Sequence, residues 1–308
     1  MTSYKPEGWL IHTRPNQEAC RSLSGLQEAC RQGTILEARA SVCTASHDLI
    51  VDFGFCQGTI PREEGAVGIA EGTTRDIALI SRVNKPVCFQ VLSAELDENG
   101  VPAPVLSRRK VQERCQQEYL SKLVPGDILD ARVTHLEPFG CFVDIGCGIA
   151  SLIPIDFISV SRIFHPRDRF SAGQDICAVV QNIDEQGRIT LSHKELLGTW
   201  EENASLFEPG ETVSGLVRSV EDYGIFVELT PNLAGLAEPK EGVLPGQQAS
   251  VYVKSLIPEK MKTKLIIVDT FNASYDIPAP RYFINSGHIS RWVYSPPESS
   301  RQIVSEFL

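Results

Sequence analysis

Two segments of the chain repeat the same alternation of hydrophobic and polar positions behind an aromatic residue and a glycine. They are Phe139-Gly140-Cys141-Phe142-Val143-Asp144-Ile145 and, 84 positions later, Tyr223-Gly224-Ile225-Phe226-Val227-Glu228-Leu229. An alternation with period two predicts a β-strand in which Val143 and Ile145 face a core while Phe142 and Asp144 face outward. A phenylalanine on an outer face is well suited to stacking on an unpaired base.

Strand alternation alone would place Phe139 on the face opposite Phe142. Gly140 lies between them, and a glycine in a strand often marks a bulge or tight bend that turns its neighbour. The alternative is that Phe139 is a core residue and Gly140 only a turn. The recurrence of the motif with Tyr223 in place of Phe139 favours the surface interpretation.

A diverged third copy precedes these two. Its segment 49–54 aligns with 141–146 at an offset of 92, and His47 and Ile50 stand where the second copy has Phe139 and Phe142. Self-similarity at such a period means that one structural unit is used several times. The first copy therefore keeps the positions that determine the fold and loses those suited to stacking.

The repeats predict an all-β fold of three tandem five-stranded OB-fold barrels, joined by short helical linkers, with an N-terminal arm and a C-terminal hairpin. The predicted segments are an arm at 1–32, a barrel at 33–107, a helical linker at 108–124, a barrel at 125–196, a linker helix at 197–208, a barrel at 209–270, and an aromatic hairpin with a tail at 271–308. In the second barrel, strands are predicted at 127–136, 139–145, 149–153, 175–183 and 188–192.

The long loop after the third strand differs in charge between the copies. In the second copy it runs from Ser159 to Gly173 and is basic, with Asp168 as its one acid. In the third copy it shortens to 238–246, and positive charge moves to the strands that follow. The cations in question are Arg162, Arg167 and Arg169, with His165, in the second copy, and Lys254, Lys260, Lys262 and Lys264 in the third. In the first copy the loop is acidic. The basic first turn of the 108–124 linker is expected to be a solvated face or, alternatively, to face phosphate.

Both terminal regions contain clustered hydrophobic residues with two interpretations each. Trp9-Leu10-Ile11 packs on the first barrel or forms an arm that docks on a partner. The aromatic segment from Tyr282 to Tyr294 is either docked on the protein or binds a partner.

Composition narrows the class of protein. The 308 residues carry a formal net charge of −10, which argues against gripping nucleic acid by bulk electrostatics. Nine cysteines without a CxxC pair indicate reduced thiols in the cytoplasm, and no apolar run approaches a membrane span. The six dispersed histidines form no HExxH or HxH motif, and a phosphate-binding GxxxxGK[ST] loop is absent from the sequence. We therefore expect no enzyme, no cofactor and no metal site.

The second copy resembles the S-one domain, the RNA-binding OB repeat of the largest protein of the bacterial small ribosomal subunit. The matching stretches are Pro125-Gly126-Asp127, Phe139 through Ile145, Gly173-Gln174, and Asp184 to Arg188 before Ile189-Thr190-Leu191-Ser192. The resemblance implies RNA contacts by Phe139, Phe142, Asp184 and Arg188. The histidine that this family places after the third strand is Pro154 here, and Glu238 in the third copy, which costs each site one stacking group.

The resemblance implies a short form of that ribosomal protein, which holds messenger RNA on the small ribosomal subunit during translation. A non-ribosomal RNA-binding regulator, or an accessory of RNA decay, is the alternative. The expected partners are single-stranded RNA and a small-subunit protein that meets the arm and the first repeat. The candidate RNA-binding residues are Phe139, Phe142, Asp184, Arg188, Arg162, His165, Arg167, Arg169, Tyr223, Phe226, Arg218, Lys254 and Lys264.

Overall fold

The computed structural model describes residues 4–273 and 279–307, and it contains three closed five-stranded barrels. The first barrel comprises β1 (Ile35–Cys43), β2 (Leu49–Asp52), β3 (Gln57–Ile60), β4 (Pro86–Ser93) and β5 (Val105–Ser107). The second comprises β6 (Ile128–Glu137), β7 (Gly140–Asp144), β8 (Ala150–Pro154), β9 (Asp175–Ile183) and β10 (Ile189–Ser192). The third comprises β11 (Thr212–Glu221), β12 (Gly224–Thr230), β13 (Leu233–Ala237), β14 (Gln248–Ile257) and β15 (Lys262–Phe271). The predicted all-β, three-barrel fold is confirmed.

All three barrels share one topology. The first three strands form an antiparallel meander, the third pairs in parallel with the fifth, and the fourth closes the sheet onto the first. Closure of a sheet removes its exposed edges, and the inward positions of each strand fill the interior. In the third barrel these include Val217, Val227 and Val251, which are almost fully buried.

Short helices join and cover the barrels. They are α1 (Arg14–Cys20), α2 (Leu23–Gln32), α3 (Ile77–Ile80), α4 (Arg108–Glu118) and α5 (Trp200–Ala204). Single 3-10 turns lie at Arg62–Glu64, Leu120–Lys122, Ile155–Phe157, Pro166–Asp168, Lys194–Leu197 and Pro258–Lys260. None of the helices in the described ranges is long and apolar enough to cross a membrane.

The chain divides into two compact units. One comprises Met1–Leu123 with Asp144–Ala150, and the other comprises Val124–Val143 with Ser151–Leu308. The first unit therefore contains the first barrel, the arm and α4. The second unit contains most of the second barrel, the whole third barrel and the C-terminal segment.

The arm of the first unit is held by a buried carboxylate on β1. Glu37 accepts hydrogen bonds from the backbone N–H groups of Gly8, Leu10 and Ile11 at 3.0, 2.9 and 3.0 Å. Burial raises the pKa of Glu37 to about 7, against the opposing effect of these hydrogen bonds. The arm segment around Trp9 thus contacts its own barrel, as the packing interpretation requires.

In the basic first turn of α4, Arg108 neither faces solvent nor is free to contact phosphate. This side chain is buried and donates from Nε and Nη2 to the two carboxylate oxygens of Glu7, at 2.6 and 3.1 Å. Arg109 is paired with Glu71 and Glu113 at 2.6 and 2.8 Å. A buried charge requires such a partner. The expectation for this turn is therefore wrong at Arg108.

Asp144, predicted to face outward beside Phe142, is buried as well. It ends β7 and accepts hydrogen bonds from the backbone N–H groups of Glu7, Gly146 and Gly148, at 2.7, 2.8 and 3.0 Å. Burial raises the pKa of this carboxyl to about 7. The alternation misplaces Asp144 because the strand ends at this residue, where its side chain caps the following turn instead of following the pleat.

The C-terminal segment is docked inside the second unit, which decides between its two interpretations. Strands β16 (Arg291–Val293) and β17 (Val304–Glu306) form a two-stranded sheet. Trp292, Tyr294 and Phe307 pack with Trp200 and Leu233 in one buried cluster. Residues 274–278 of the predicted segment lie outside the described residues.

His193, directly after β10, connects this segment to the second barrel. Its Nδ1–H donates to the carbonyl of Ile158 at 3.0 Å, and its Nε2 accepts from the hydroxyl of Tyr282 at 3.1 Å. That hydroxyl in turn accepts from the backbone N–H of Cys177 at 3.0 Å. Burial lowers the pKa of His193 to about 4, so the ring is held neutral.

Candidate nucleic-acid interface

The two aromatic residues of the second barrel lie side by side on its surface. Phe139 is 56% exposed in the turn between β6 and β7, and Phe142 is partly exposed on β7. Their ring centroids are 6.0 Å apart at an interplanar angle of 89°. This edge-to-face contact fixes both rings against each other. The alternative in which Phe139 is a core residue is wrong.

The third barrel repeats this arrangement. Tyr223 is 68% exposed, Phe226 is partly exposed, and their centroids are 6.2 Å apart at 85°. Glu221 pairs with Gly224, which leaves Asp222 and Tyr223 as a two-residue turn. Tyr223 therefore reaches the outer surface because it lies in the hairpin turn and is free of the alternation of the strand.

Of the two roles predicted for the glycine between the aromatics, a bulge or a tight bend, the structure shows the tight bend, since the glycine directly follows a two-residue turn in both barrels. It also allows a close approach of the neighbouring strand. A Cβ on Gly140 would lie 2.6 Å from the carbonyl oxygen of Ile153, and one on Gly224 would lie 2.7 Å from that of Ala237. Only glycine permits the neighbouring strand to approach so closely. In the third barrel the register shift lies on the partner strand, between Val217 and Ser219.

A row of outward side chains continues from the aromatic pair across the third barrel. Phe226 pairs with Leu236 on β13, which pairs with Lys264 on β15. Lys254 on β14 is exposed, and its Nζ lies 4.0 Å from a carboxylate oxygen of Glu238. Glu238 occupies the position at which the S-one domain has a histidine, and its carboxylate partly offsets the positive charge of Lys254.

In the second barrel, the hairpin between β9 and β10 presents one exposed cation. Arg188 Nε donates to Asp184 Oδ2 at 2.7 Å, while Asp184 Oδ1 accepts from the backbone N–H groups of Gln186 and Arg188, both at 2.9 Å. These bonds to Arg188, backbone first, lower the pKa of Asp184. The carboxylate therefore orients the guanidinium and shapes the turn.

The basic loop of the second barrel divides into exposed and buried cations. Arg162 and Arg167 are exposed, and His165 is half-buried, where its Nδ1 accepts from the backbone N–H of Arg167 at 3.1 Å. Arg169 is only 6% exposed, and its Nη2 donates to Glu228 at 2.6 Å. Arg169 is therefore a correction to the predicted set, because a buried, paired guanidinium offers no surface to phosphate.

Arg218, like Arg169, is paired with Glu228. It donates from Nε and Nη2 to both oxygens of Glu228, at 2.9 and 3.0 Å, and its Nη1 lies 3.6 Å from Asp168. Glu228, which the alternation placed outside beside Phe226, is buried between these two guanidinium groups. Bidentate pairing of this kind fixes geometry. Arg218 is thus engaged within the protein, and the prediction that it contacts RNA is corrected accordingly.

Sequence reasoning missed an exposed aromatic residue in the basic loop of the second barrel. Phe164, in the basic loop, is 61% exposed, and the guanidinium carbon of Arg162 lies 5.6 Å from its ring centroid. The sequence signal that could have found it is a phenylalanine placed between Arg162 and Arg167 in a basic loop.

The first barrel presents a different surface at the equivalent place. His47 lies in a longer turn with φ +66°, and its Nδ1 is 3.7 Å from Asp76, which also accepts from Arg62 Nε at 2.7 Å. Ile50, at the position of Phe142, pairs with Thr59. A network of charges thus replaces the edge-to-face pair.

Comparison with known proteins agrees with this geometry. Residues 122–194 match the model of the S1 RNA binding domain. The chain is 29% identical over 280 residues to small ribosomal subunit protein bS1 of Staphylococcus aureus (strain COL), covering 85% of this chain and 68% of that protein. It is 32% identical over 233 residues to the small ribosomal subunit protein bS1 homolog of Bacillus subtilis (strain 168), covering 74% and 58%.

A crystal structure of a multidomain protein with nucleic acid binding domains from Streptococcus pneumoniae TIGR4 covers 77% of this chain and 74% of its own, at 15% identity and a TM-score of 0.26. That superposition is too weak to carry an argument. The domain match and the bacterial relatives carry the assignment instead, and they agree with the three barrels and their repeated aromatic motif. The chain belongs to the S1-type ribosomal protein family.

Proposed function

We propose that this protein binds single-stranded RNA on its second and third barrels and, on the small ribosomal subunit, holds messenger RNA during translation. The observation that carries the proposal is the repeated edge-to-face pair, Phe139 with Phe142 and Tyr223 with Phe226. Two barrels of one chain present the same aromatic surface. Stacking on an aromatic ring is worth about 1–3 kcal/mol per base and tolerates any sequence.

The charge distribution favours stacking over phosphate contacts. The net charge is −10, and the exposed cations among the candidate RNA-binding residues are few: Arg162, Arg167 and Arg188 in the second barrel, Lys254 and Lys264 in the third. Asp184 orients Arg188, and His165 supports the loop that carries Arg167. Stacking needs unpaired bases, so single strands are the substrate and duplexes are not.

The first barrel supports a different task within the same proposal, which is docking on a protein of the small subunit. It lacks the aromatic pair, and its loop carries Glu63 and Glu71, which repel phosphate. On the same loop Ile77 and Ile80 in α3 are 64% and 44% exposed. Exposed apolar side chains rimmed by charge suit a protein surface better than RNA.

The relatives named bS1 support association with the ribosome, which would place the protein in the cytoplasm. The proposal assigns the chain no catalytic role and no cofactor. A regulator or decay accessory away from the ribosome could present the same barrels, and sedimentation with small subunits separates that alternative from ours.

The test is binding of the full-length protein to fluorescent single-stranded and duplex RNA, with the double variant Phe142→Ala/Phe226→Ala. We expect preference for the single strand and a loss of at least tenfold in the variant, since each lost stack costs about 1–3 kcal/mol. Leu244→Ala, at an exposed apolar residue that belongs to neither pair, is the matched control. Equal affinity for duplex, or an unaffected double variant, contradicts the proposal.

A further inference from the structure

The basic loop of the second barrel is anchored on the third barrel at both of its ends. The backbone N–H of Val160 donates to Asn232 Oδ1 at 2.9 Å, and that of Ser161 donates to the carbonyl of Pro231 at 3.2 Å. At the other end, Arg169 donates to Glu228 at 2.6 Å. The segment between these anchors, 162–168, is therefore a short tip with fixed ends.

The tip is also held from within. Asp168 Oδ2 accepts from the backbone N–H groups of Phe164 and His165, at 3.2 and 3.4 Å. These bonds fix the backbone at Phe164 without using its side chain, whose ring remains 61% exposed. Rigid aromatic rings make good contact groups because little conformational entropy is lost on binding.

Cations flank this ring. Arg162 lies over it at 5.6 Å from guanidinium carbon to ring centroid, and Arg167 is exposed two positions before the buried Arg169. The acid of the tip, Asp168, is occupied by the two backbone donors and by Arg218, 3.6 Å away. The exposed charges around Phe164 are therefore positive, which suits a base with its phosphates and disfavours a basic protein surface.

We propose that Phe164 is a third stacking position for RNA, in addition to the two strand-borne aromatic pairs. An unpaired base stacks on the ring, and Arg162 and Arg167 contact the flanking phosphates. This inference rests on the proposed function, since it assigns a further contact for the same single strand. Because the loop is anchored on the third barrel, the stacked base lies on the loop through which the second barrel contacts the third.

The test compares Phe164→Ala, Phe164→Trp and the control Leu244→Ala in the full-length protein, binding a single-stranded RNA long enough to reach both barrels. Leu244 is the matched control because it is 60% exposed on the equivalent loop of the third barrel. We expect Phe164→Ala to lose about 5- to 100-fold in affinity, the range of one base–aromatic stack. Phe164→Trp keeps the affinity, and Leu244→Ala is unchanged.

A set of RNAs with one abasic position each locates the contact. In the unmodified protein one base removal should cost affinity that the same removal does not cost in Phe164→Ala, which is the non-additivity expected of two groups in contact. Strict additivity at every position overturns the inference, as does a Phe164→Ala variant that binds like Leu244→Ala. If Phe164→Ala keeps RNA affinity but no longer sediments with ribosomal subunits, the ring is a protein contact and the inference also fails. The proposed function fails separately, if Phe142→Ala/Phe226→Ala binds normally or if duplex RNA binds as tightly as the single strand.

Discussion

At the scale of single residues, Phe139 allows its contribution to RNA affinity to be tested apart from the stability of the fold. Its ring lies in a turn, whereas Phe142 is partly buried on a strand. We expect Phe139→Ala to lose about 1–3 kcal/mol of RNA affinity with little change in melting temperature, since an exposed turn residue contributes little to the core. Phe142→Ala should lower both, because truncating a buried phenylalanine costs up to about 3–5 kcal/mol. Anisotropy and thermal unfolding on both variants decide this. A Phe139→Ala protein that melts early yet binds normally would contradict the surface role.

His193 makes the second unit sensitive to acid. Its folded pKa, about 4, lies below the unfolded value of 6.5, so the unfolded chain binds the proton more readily. The contribution of its neutral ring is complete above pH 6.5 and is lost as pH falls toward 4, amounting to roughly 3 kcal/mol.

A His193→Gln variant should therefore be less stable than the unmodified protein at pH 7 but lose less stability between pH 6.5 and 4.5. Denaturant unfolding at several pH values measures this difference. The difference in unfolding free energy between the two proteins at each pH also cancels the opposite effect of Glu37 and Asp144. The raised pKa values of these two carboxyls stabilise the fold as pH falls from about 7. Parallel pH profiles for the two proteins would show that His193 does not titrate as described.

The sequence could predict the hydrophobic side of these strands but not their acids. Asp144 and Glu228 occupy positions that the alternation assigns to the outer face, but both side chains are buried. Glu228 is neutralised by Arg169, which is 59 residues away in the chain and on another barrel. Alternation depends on local backbone geometry. It carries no information about a partner of opposite charge, distant in the sequence, that stabilises a buried carboxylate.

At the scale of elements, the strands and loops were predictable because turn residues and periodicity are local. The predicted strand at 175–183 agrees with β9. The predictions for β6, β7 and β8 differ from the structure by one residue at each end, and that for β10 by one residue at its start. The sequence leaves open whether a bulge or a tight bend exposes Phe139, since a two-residue hairpin loop and a bulge share the same glycine signal. Anchoring of the basic loop could not be foreseen, because its contacts with Asn232 and Pro231 are long-range.

The basic loop sets the dependence of binding on salt. With Arg169 buried, the exposed cations of the second barrel are Arg162, Arg167 and Arg188. Neutralising about three phosphates of a single strand gives a log–log slope of roughly −2. We expect Arg162→Ala to reduce the magnitude of this slope by about 0.7, and affinities measured across a potassium chloride series test it. A slope near −6 would mean that phosphate contacts, rather than stacking, dominate.

At the scale of the whole molecule, RNA binding and ribosome docking should be separable by surface substitutions. Removal of the first 106 residues is a poor test, since it would strip Asp144 and Cys147 of their bonds to Glu7 and Lys5. Substitution of Ile77 and Ile80 by Glu changes only exposed positions of the first barrel. We expect this double variant to keep its affinity for single-stranded RNA and to lose co-sedimentation with small ribosomal subunits.

The control for that experiment is Leu244→Glu, which places a charge at an equally exposed position of the third barrel. It should sediment with subunits like the unmodified protein. If the double isoleucine variant still sediments while the protein remains folded, docking belongs to another surface. If it instead loses RNA affinity, the division of tasks between the barrels is wrong.

The buried cluster around Trp292 and Phe307 has a consequence for how the protein folds during translation. It joins residues of the second and third barrels, Val179 and Leu233 among them, to a strand pair that follows both barrels in the chain. At about 5–20 residues per second, translation finishes each barrel before the residues that lock the two together have emerged. During that interval Trp200 and Leu233 lack their covering partners, so the nascent chain exposes apolar surface until Trp292 and Phe307 have been added. A ribosome that stalls between the third barrel and these residues would leave that surface open to aggregation.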